Sequence, residues 1–158
     1  MISPVTNLGG SVLVKDACCS ENSGAPSVIT AAAGLDNVKV TGQTIDRYSG
    51  TYNSVAQSAV VCTQFLAALT AAKTVSLAHE YQDSADGSTW NTAVVLEAAT
   101  VYETGAGNKR GEAEFDVNLA GLARYIRVNV TLDLSHTSTD TASFATVVAL
   151  GGFDNNPI

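Results

Sequence analysis

The strongest constraint on the fold is a strict two-residue alternation in the second half of the chain. Over residues 112–119, Ala113, Phe115, Val117 and Leu119 fall on one side, while Glu112 and Glu114 share the other. Over residues 124–133, Ile126, Val128, Val130 and Leu132 form the apolar side, and Arg127, Asn129, Thr131 and Asp133 the polar one. Successive side chains of a strand point to opposite faces, so this period places one face in a core and the other outside it. Parallel sheets read instead as continuous apolar runs, so the alternation belongs to antiparallel strands with one buried face.

The same period recurs upstream. Residues 73–96 read as two strands around a turn: Val75, Leu77, His79 and Tyr81 lie on one face, and Thr74, Ser76, Ala78, Glu80 and Gln82 on the other. Asp86 and Gly87 supply a pair that tolerates the left-handed conformation and reverses the chain, and Trp90 opens the return strand. Residues 98–102 extend that strand. Shorter strands fit residues 11–14, 28–29, 38–41 and 58–66, and a last one covers residues 142–150, ended by Gly151 and Gly152. Residues 48–52 read as a turn or edge segment. Residues 16–26, 105–111 and 135–140 read as loops, and the alanines of residues 67–73 permit a helical turn too short to stand alone. About eight strands and no convincing amphipathic helix predict an all-β protein, an antiparallel β-sandwich with a jelly-roll-like arrangement. The weak pattern of residues 1–36 predicts an N-terminal arm and loop segment, with residues 37–158 as the β-sandwich domain.

Charge narrows the function classes. The chain has 8 Lys and Arg against 15 Asp and Glu, a formal net charge of −7. Lys109 with Arg110, and Arg124 with Arg127, are its densest basic pairs and both sit beside acids. Direct nucleic-acid binding needs basic clusters that displace counterions, and none is present. No stretch approaches the ~20 apolar residues of a membrane span, and the start lacks a basic, then apolar, leader. The expectation is a soluble chain made in the cytosol. Charged residues make up only 15%, below the usual quarter or so, which fits either a surface covered by a partner or a Ser/Thr/Asn-rich exterior.

Candidate chemistry is sparse. Gly105, Gly107 and Gly111 superficially suggest a phosphate loop, but a strand follows instead of the helix such a loop needs. Asp83 and Asp86 resemble part of a calcium loop without its remaining oxygen ligands. Cys18, Cys19 and Cys62, with the distant His79 and His136, do not match a zinc spacing and read as reduced core or loop residues. His79, on an apolar strand face, reads as a hydrogen-bonded core or interface histidine. Glu112 and Glu114 would serve glycoside hydrolysis only with a cleft and an aromatic platform. No Gly-x-Ser-x-Gly elbow supports a triad, and Asn129-Val-Thr131 matches a glycosylation pattern in mid-strand, where it is chance. No catalytic, metal-binding or cofactor-binding residues are assigned, no cofactor is expected, and the expectation is a non-enzymatic protein.

Residues 76–94 (SLAHEYQDSADGSTWNTAV), 124–134 (RYIRVNVTLDL) and 141–157 (TASFATVVALGGFDNNP) resemble segments of small β-sandwich proteins of tailed-bacteriophage particles. The resemblance spans about residues 38–157. It implies a virion structural protein, a capsid decoration (cement) protein on the outside of the head, synthesised in the host cytoplasm. It also implies contacts with the major capsid protein and self-association on the lattice, with no direct nucleic acid and no membrane. The N-terminal arm and residues 151–158 are the candidate contact elements. A tail, neck or head-fibre component is the alternative placement. A carbohydrate-binding module is the alternative class, with Tyr48, Tyr52, Trp90 and Tyr102 as its candidate aromatics.

Overall fold

A computed structural model describes residues 12–21, 26–51, 53–135 and 139–153. Twelve strands follow in order: β1 (Leu13–Cys19), β2 (Ile29–Thr30), β3 (Val38–Thr41), β4 (Ile45–Asp46), β5 (Tyr48–Ser49), β6 (Ser54–Val55), β7 (Ser58–Leu69), β8 (Thr74–Ser84), β9 (Val94–Thr104), β10 (Gly107–Asn118), β11 (Tyr125–Leu134) and β12 (Thr141–Gly151). No helix occurs among the described residues.

One sheet has the order β1-β12-β7-β10, with β2 beside β12; the other has the order β3-β11-β8-β9, with β4 beside β11. All pairings are antiparallel. Setting aside the two-residue strands β2, β4, β5 and β6, the chain places its main strands alternately in the two sheets, except for the β8–β9 hairpin. This is jelly-roll wiring, in which strands far apart in sequence become neighbours. The predicted antiparallel β-sandwich is therefore present, with four short strands added to the eight main ones.

The two inner faces meet in one core. Val61, Phe65, Phe144 and Val148 come from the first sheet, and Val75, Leu77, Val128 and Val130 from the second. Val75, Leu77, Val128 and Val130 sit at the inward phase that the alternation predicts, and Val61, Phe65, Phe144 and Val148 sit at the inward phase of strands whose facing the pairing reveals. On one side the sheets are sewn together by the segment between β3 and β4. Gln43 N–H donates to the Ala17 carbonyl of β1 at 2.7 Å. A Cβ built on Gly42 would lie 2.0 Å from the Val128 carbonyl oxygen and 2.6 Å from that of Ala17. Only a residue without a side chain lets the backbone pass between the sheets there.

Several local expectations are corrected. Residues 16–19, expected as loop, belong to β1, which pairs with β12 through a register shift between Asp16 and Cys18. The bulge lets Ala17, Cys18 and Cys19 all be buried. With β1 and β2 both bonded to β12, residues 13–19 and 29–30 are strands of the sandwich and not part of an arm. Residues 67–69 finish β7 instead of starting a helical turn, because Ala67 and Leu69 face the core. The 105–111 loop shrinks to Gly105 and Ala106, a corner between the sheets, and residues 107–111 pair with residues 65–69. Trp90 does not open the return strand: residues 85–93 connect β8 to β9, and Gly87 within them has the predicted positive φ, 74°. Residues 1–9, Tyr52, His136 and residues 154–158 of the expected contact tail lie outside the described residues.

Candidate interaction surface

The buried polar side chains hold the fold together. His79 of β8 is buried at the sandwich centre. Its Nε2 lies 3.1 Å from Thr63 Oγ1 of β7, which lies 2.7 Å from Thr146 Oγ1 of β12. Its Nδ1 lies 3.3 Å from Glu97 Oε2 of β9, the oxygen that also accepts the Tyr102 hydroxyl at 2.7 Å. The imidazole packs on Phe115 at a centroid distance of 4.8 Å. Thr63, His79 and Glu97 thus stand in the order of a nucleophile, base and acid. Thr63 is 0% exposed, so no substrate carbonyl reaches it, and the chain of bonds is a polar cross-link between the sheets. The expectation for His79 is met. Thr63 was legible only as a hydroxyl within a predicted strand, and Glu97 gave no local signal.

Burial pushes the His79 imidazole below its usual range, against the opposing pull of Glu97. The group is therefore neutral in the folded protein near pH 7. Below pH ~6.5 the unfolded chain takes up a proton there that the folded chain refuses, so stability falls as the pH drops toward the folded-state value. Asp46, Asp83 and Asp86 are also held low, and their contributions are lost only below the ordinary carboxylate range. Thermal melts between pH 5 and 7 should show a falling Tm on acidification that is flattened in His79→Gln. Equal slopes in both proteins would remove His79 as the source.

The Asp83–Asp86 turn is closed by its own donors. Asp86 Oδ1 accepts the N–H groups of Thr89 and Ser88 at 2.7 and 2.8 Å, and the Ser84 hydroxyl at 3.0 Å. Asp83 accepts Ala123 N–H and the Asn91 amide, each at 2.8 Å. These bonds hold both carboxyls well below their usual range. Among the described residues no cluster of His, Cys, Asp and Glu is placed to hold a metal ion. The candidate aromatics that are described are also engaged separately. Tyr48 and Tyr125 flank the Arg124 guanidinium, Trp90 lies under Arg127 at 4.2 Å, and Tyr102 meets Phe65 edge-on. They form no common platform.

The two outer faces of the sandwich differ in kind. On the β3-β11-β8-β9 sheet, Lys39 pairs with Glu80 at 2.6 Å, Asn129 donates to Glu80 and Gln82, and Arg127 donates a fork to Gln82 while stacking on Trp90. The centre of this face is thus polar and internally bonded, while its outer strand β9 exposes Val95 beside Glu80 and Val101 beside Ser76. On the β1-β12-β7-β10 sheet, register sets Val60 beside Ala149, Cys62 beside Val147, Gln64 beside Ala145 and Leu66 beside Ser143. Val14 of β1 sits beside Ala149. Leu66 is 52% exposed, Val14 65% and Val147 37%. The neighbouring margin on β10 carries Asp116, Glu114, Glu112 and Arg110, opposite Val60, Cys62, Gln64 and Leu66. Asp16, opposite Val147, marks the other margin. Open depressions flank Leu66: one of about 140 Å³ bounded by Val28, Asn108 and Ser143, and one of about 210 Å³ bounded by Pro26, Gln64 and Ala145. Cys18 and Cys19 are buried and Cys62 is half-buried on this face, all three free. Burial first, then Glu112 and Glu114, raise the Cys62 thiol above its usual range.

No family model matches the chain, and no curated protein matches it. Solved structures do share its fold. A chain of the Gx strain of infectious bursal disease virus superposes with a TM-score of 0.57 at 10% identity, over 92% of this chain and 34% of that one. A chain of the T13 particle of the same virus gives 0.56 at 12% identity, over 92% and 32%. The PBSX exported protein XepA gives 0.45 at 16% identity, over 85% and 39%. This chain thus spans about a third of the length of the virus chains it matches. At such identities the likeness is one of architecture. The protein is a jelly-roll β-sandwich, a fold also present in virus particles.

Proposed function

We propose that this chain is a non-enzymatic structural protein of a virus particle: a decoration or cement protein that binds the major capsid protein on the outside of a tailed-phage head. The observation that carries this reading is the contrast between the centres of the two sandwich faces: one is polar and internally bonded, with exposed valines on its outer strands β3 and β9, and the other is an apolar strip edged with carboxylates. A sandwich that meets only water has no use for the second face. The buried polar groups support the same reading, because His79, Thr63 and Glu97 are spent on joining the sheets. A protein that binds only the assembled lattice stabilises that state by mass action, and many identical copies add their gains. The net charge of −7 favours a protein partner over DNA or RNA.

Co-sedimentation of the purified protein with mature heads, procapsids and tails of the phage that encodes it tests the reading. Stoichiometric binding to expanded heads is expected. Binding to tails or necks with none to heads would replace the decoration role with a tail or neck role in the same particle.

A further inference from the structure

We infer that the outer face of the β1-β12-β7-β10 sheet is the docking face, and that its occupant is a protein surface whose apolar centre is flanked by lysine or arginine side chains. The source of that partner, the capsid shell, rests on the function proposed above; its chemistry rests on the face itself. The centre of the face is a strip of mostly small, uncharged side chains, Val60, Cys62, Ala145, Val147 and Ala149, with the half-exposed Leu66 at one end between two shallow recesses. Covering such a strip removes apolar area from water without desolvating a charge at its centre. The charges stand at the margins: Glu112, Glu114 and Asp116 along β10 and Asp16 along β1, with Arg110 at one end. Carboxylates at the rim steer and orient a cationic partner more than they add to affinity.

A second copy of this chain is the poorer occupant. Carboxylates outnumber cations around the face, with Glu112, Glu114, Asp116 and Asp16 against Arg110 and the neighbouring Lys15, so two copies laid face to face bring mostly like charges together along the rim. The opposite sheet exposes valines too, Val38 on β3 and Val94, Val95 and Val101 on β9, but its centre on β8 and β11 is polar, with Glu80 bonded to Lys39 and Asn129 and Gln82 bonded to Arg127.

The test uses mature heads as the probe and full-length protein throughout. Leu66→Arg and the double variant Glu112→Lys/Glu114→Lys change exposed positions only, and matching melting curves establish that each variant folds. Each should lower head occupancy by about tenfold or more, whereas Ser76→Arg on the opposite face should leave it unchanged. Bound wild-type protein should also protect Cys62 from maleimide, with buried Cys18 and Cys19 as the slow background. If wild-type protein binds heads but both variants bind equally well and Cys62 reacts at its free rate, this face is wrong while the function stands. If wild-type protein does not bind heads, both fall. A dimer in solution that Leu66→Arg dissolves would make a second copy the occupant and overturn the inference.

Discussion

Replacing Gly42 with alanine should destabilise the protein by about 3 kcal/mol or prevent folding. The new Cβ would lie 2.0 Å from the Val128 oxygen and 2.6 Å from the Ala17 oxygen. Both atoms are backbone, in strands of opposite sheets, so neither can rotate away like the end of a side chain. Relief requires parting β1 from β11, and with it loss of the Gln43-to-Ala17 hydrogen bond. Gly50→Ala is the matched control, since a Cβ there meets nothing within 4 Å; it should change stability by less than about 0.5 kcal/mol. Urea melts of the two variants settle the matter, and a Gly42→Ala protein as stable as the control would show that the sheets can part at little cost.

Arg47→Ala should cost about 3–5 kcal/mol, seen as a Tm lower by roughly 10 °C. Arg47 is 1% exposed, and its guanidinium is the hub of one end of the sandwich. Nε donates to the Ala56 carbonyl at 3.1 Å, and Nη1 donates to those of Leu122 and Ala123, each at 2.7 Å. The side chain thereby ties the segment before β7 to the β10–β11 connection. Burial pulls its pKa below the usual arginine value, with Asp83 opposing, and the three carbonyl partners replace the lost water. Truncation leaves those carbonyls buried without a donor, which costs more than the bonds contribute. Arg47→Lys should recover less than half the loss, because one ammonium cannot match a planar fork aimed at three oxygens. A Tm change of under about 2 °C for Arg47→Ala would mean that water takes over the end of the sandwich.

The chain shows which parts of such a structure are local and which are not. Alternation within β8, β10 and β11 is a property of each segment alone, because the side chains of any extended strand alternate. It therefore assigned Val128, Val130, Leu77 and His79 to the inside and Arg127 to the outside before any pairing was known. The turn at Gly87 was legible for the same reason: a positive φ is a local demand. Strands broken by a bulge or by small residues were not legible. Ala17, Cys18 and Cys19 read as loop because a register shift turns consecutive side chains inward.

The sequence by itself thus determined an antiparallel sandwich and the facing of β8, β10 and β11, through periods that each strand carries independently. The tertiary structure decided the rest. It paired β1 with β12 and β3 with β11, brought Gly42 between two carbonyls, and surrounded Arg47 with oxygens from two distant connections. It also assembled the apolar outer face from strands β1, β7 and β12 and the acidic margin from β10, far apart in the chain. An outward Leu66 or Val147 has no meaning within its own strand. It becomes part of a surface only when jelly-roll wiring sets the strands side by side.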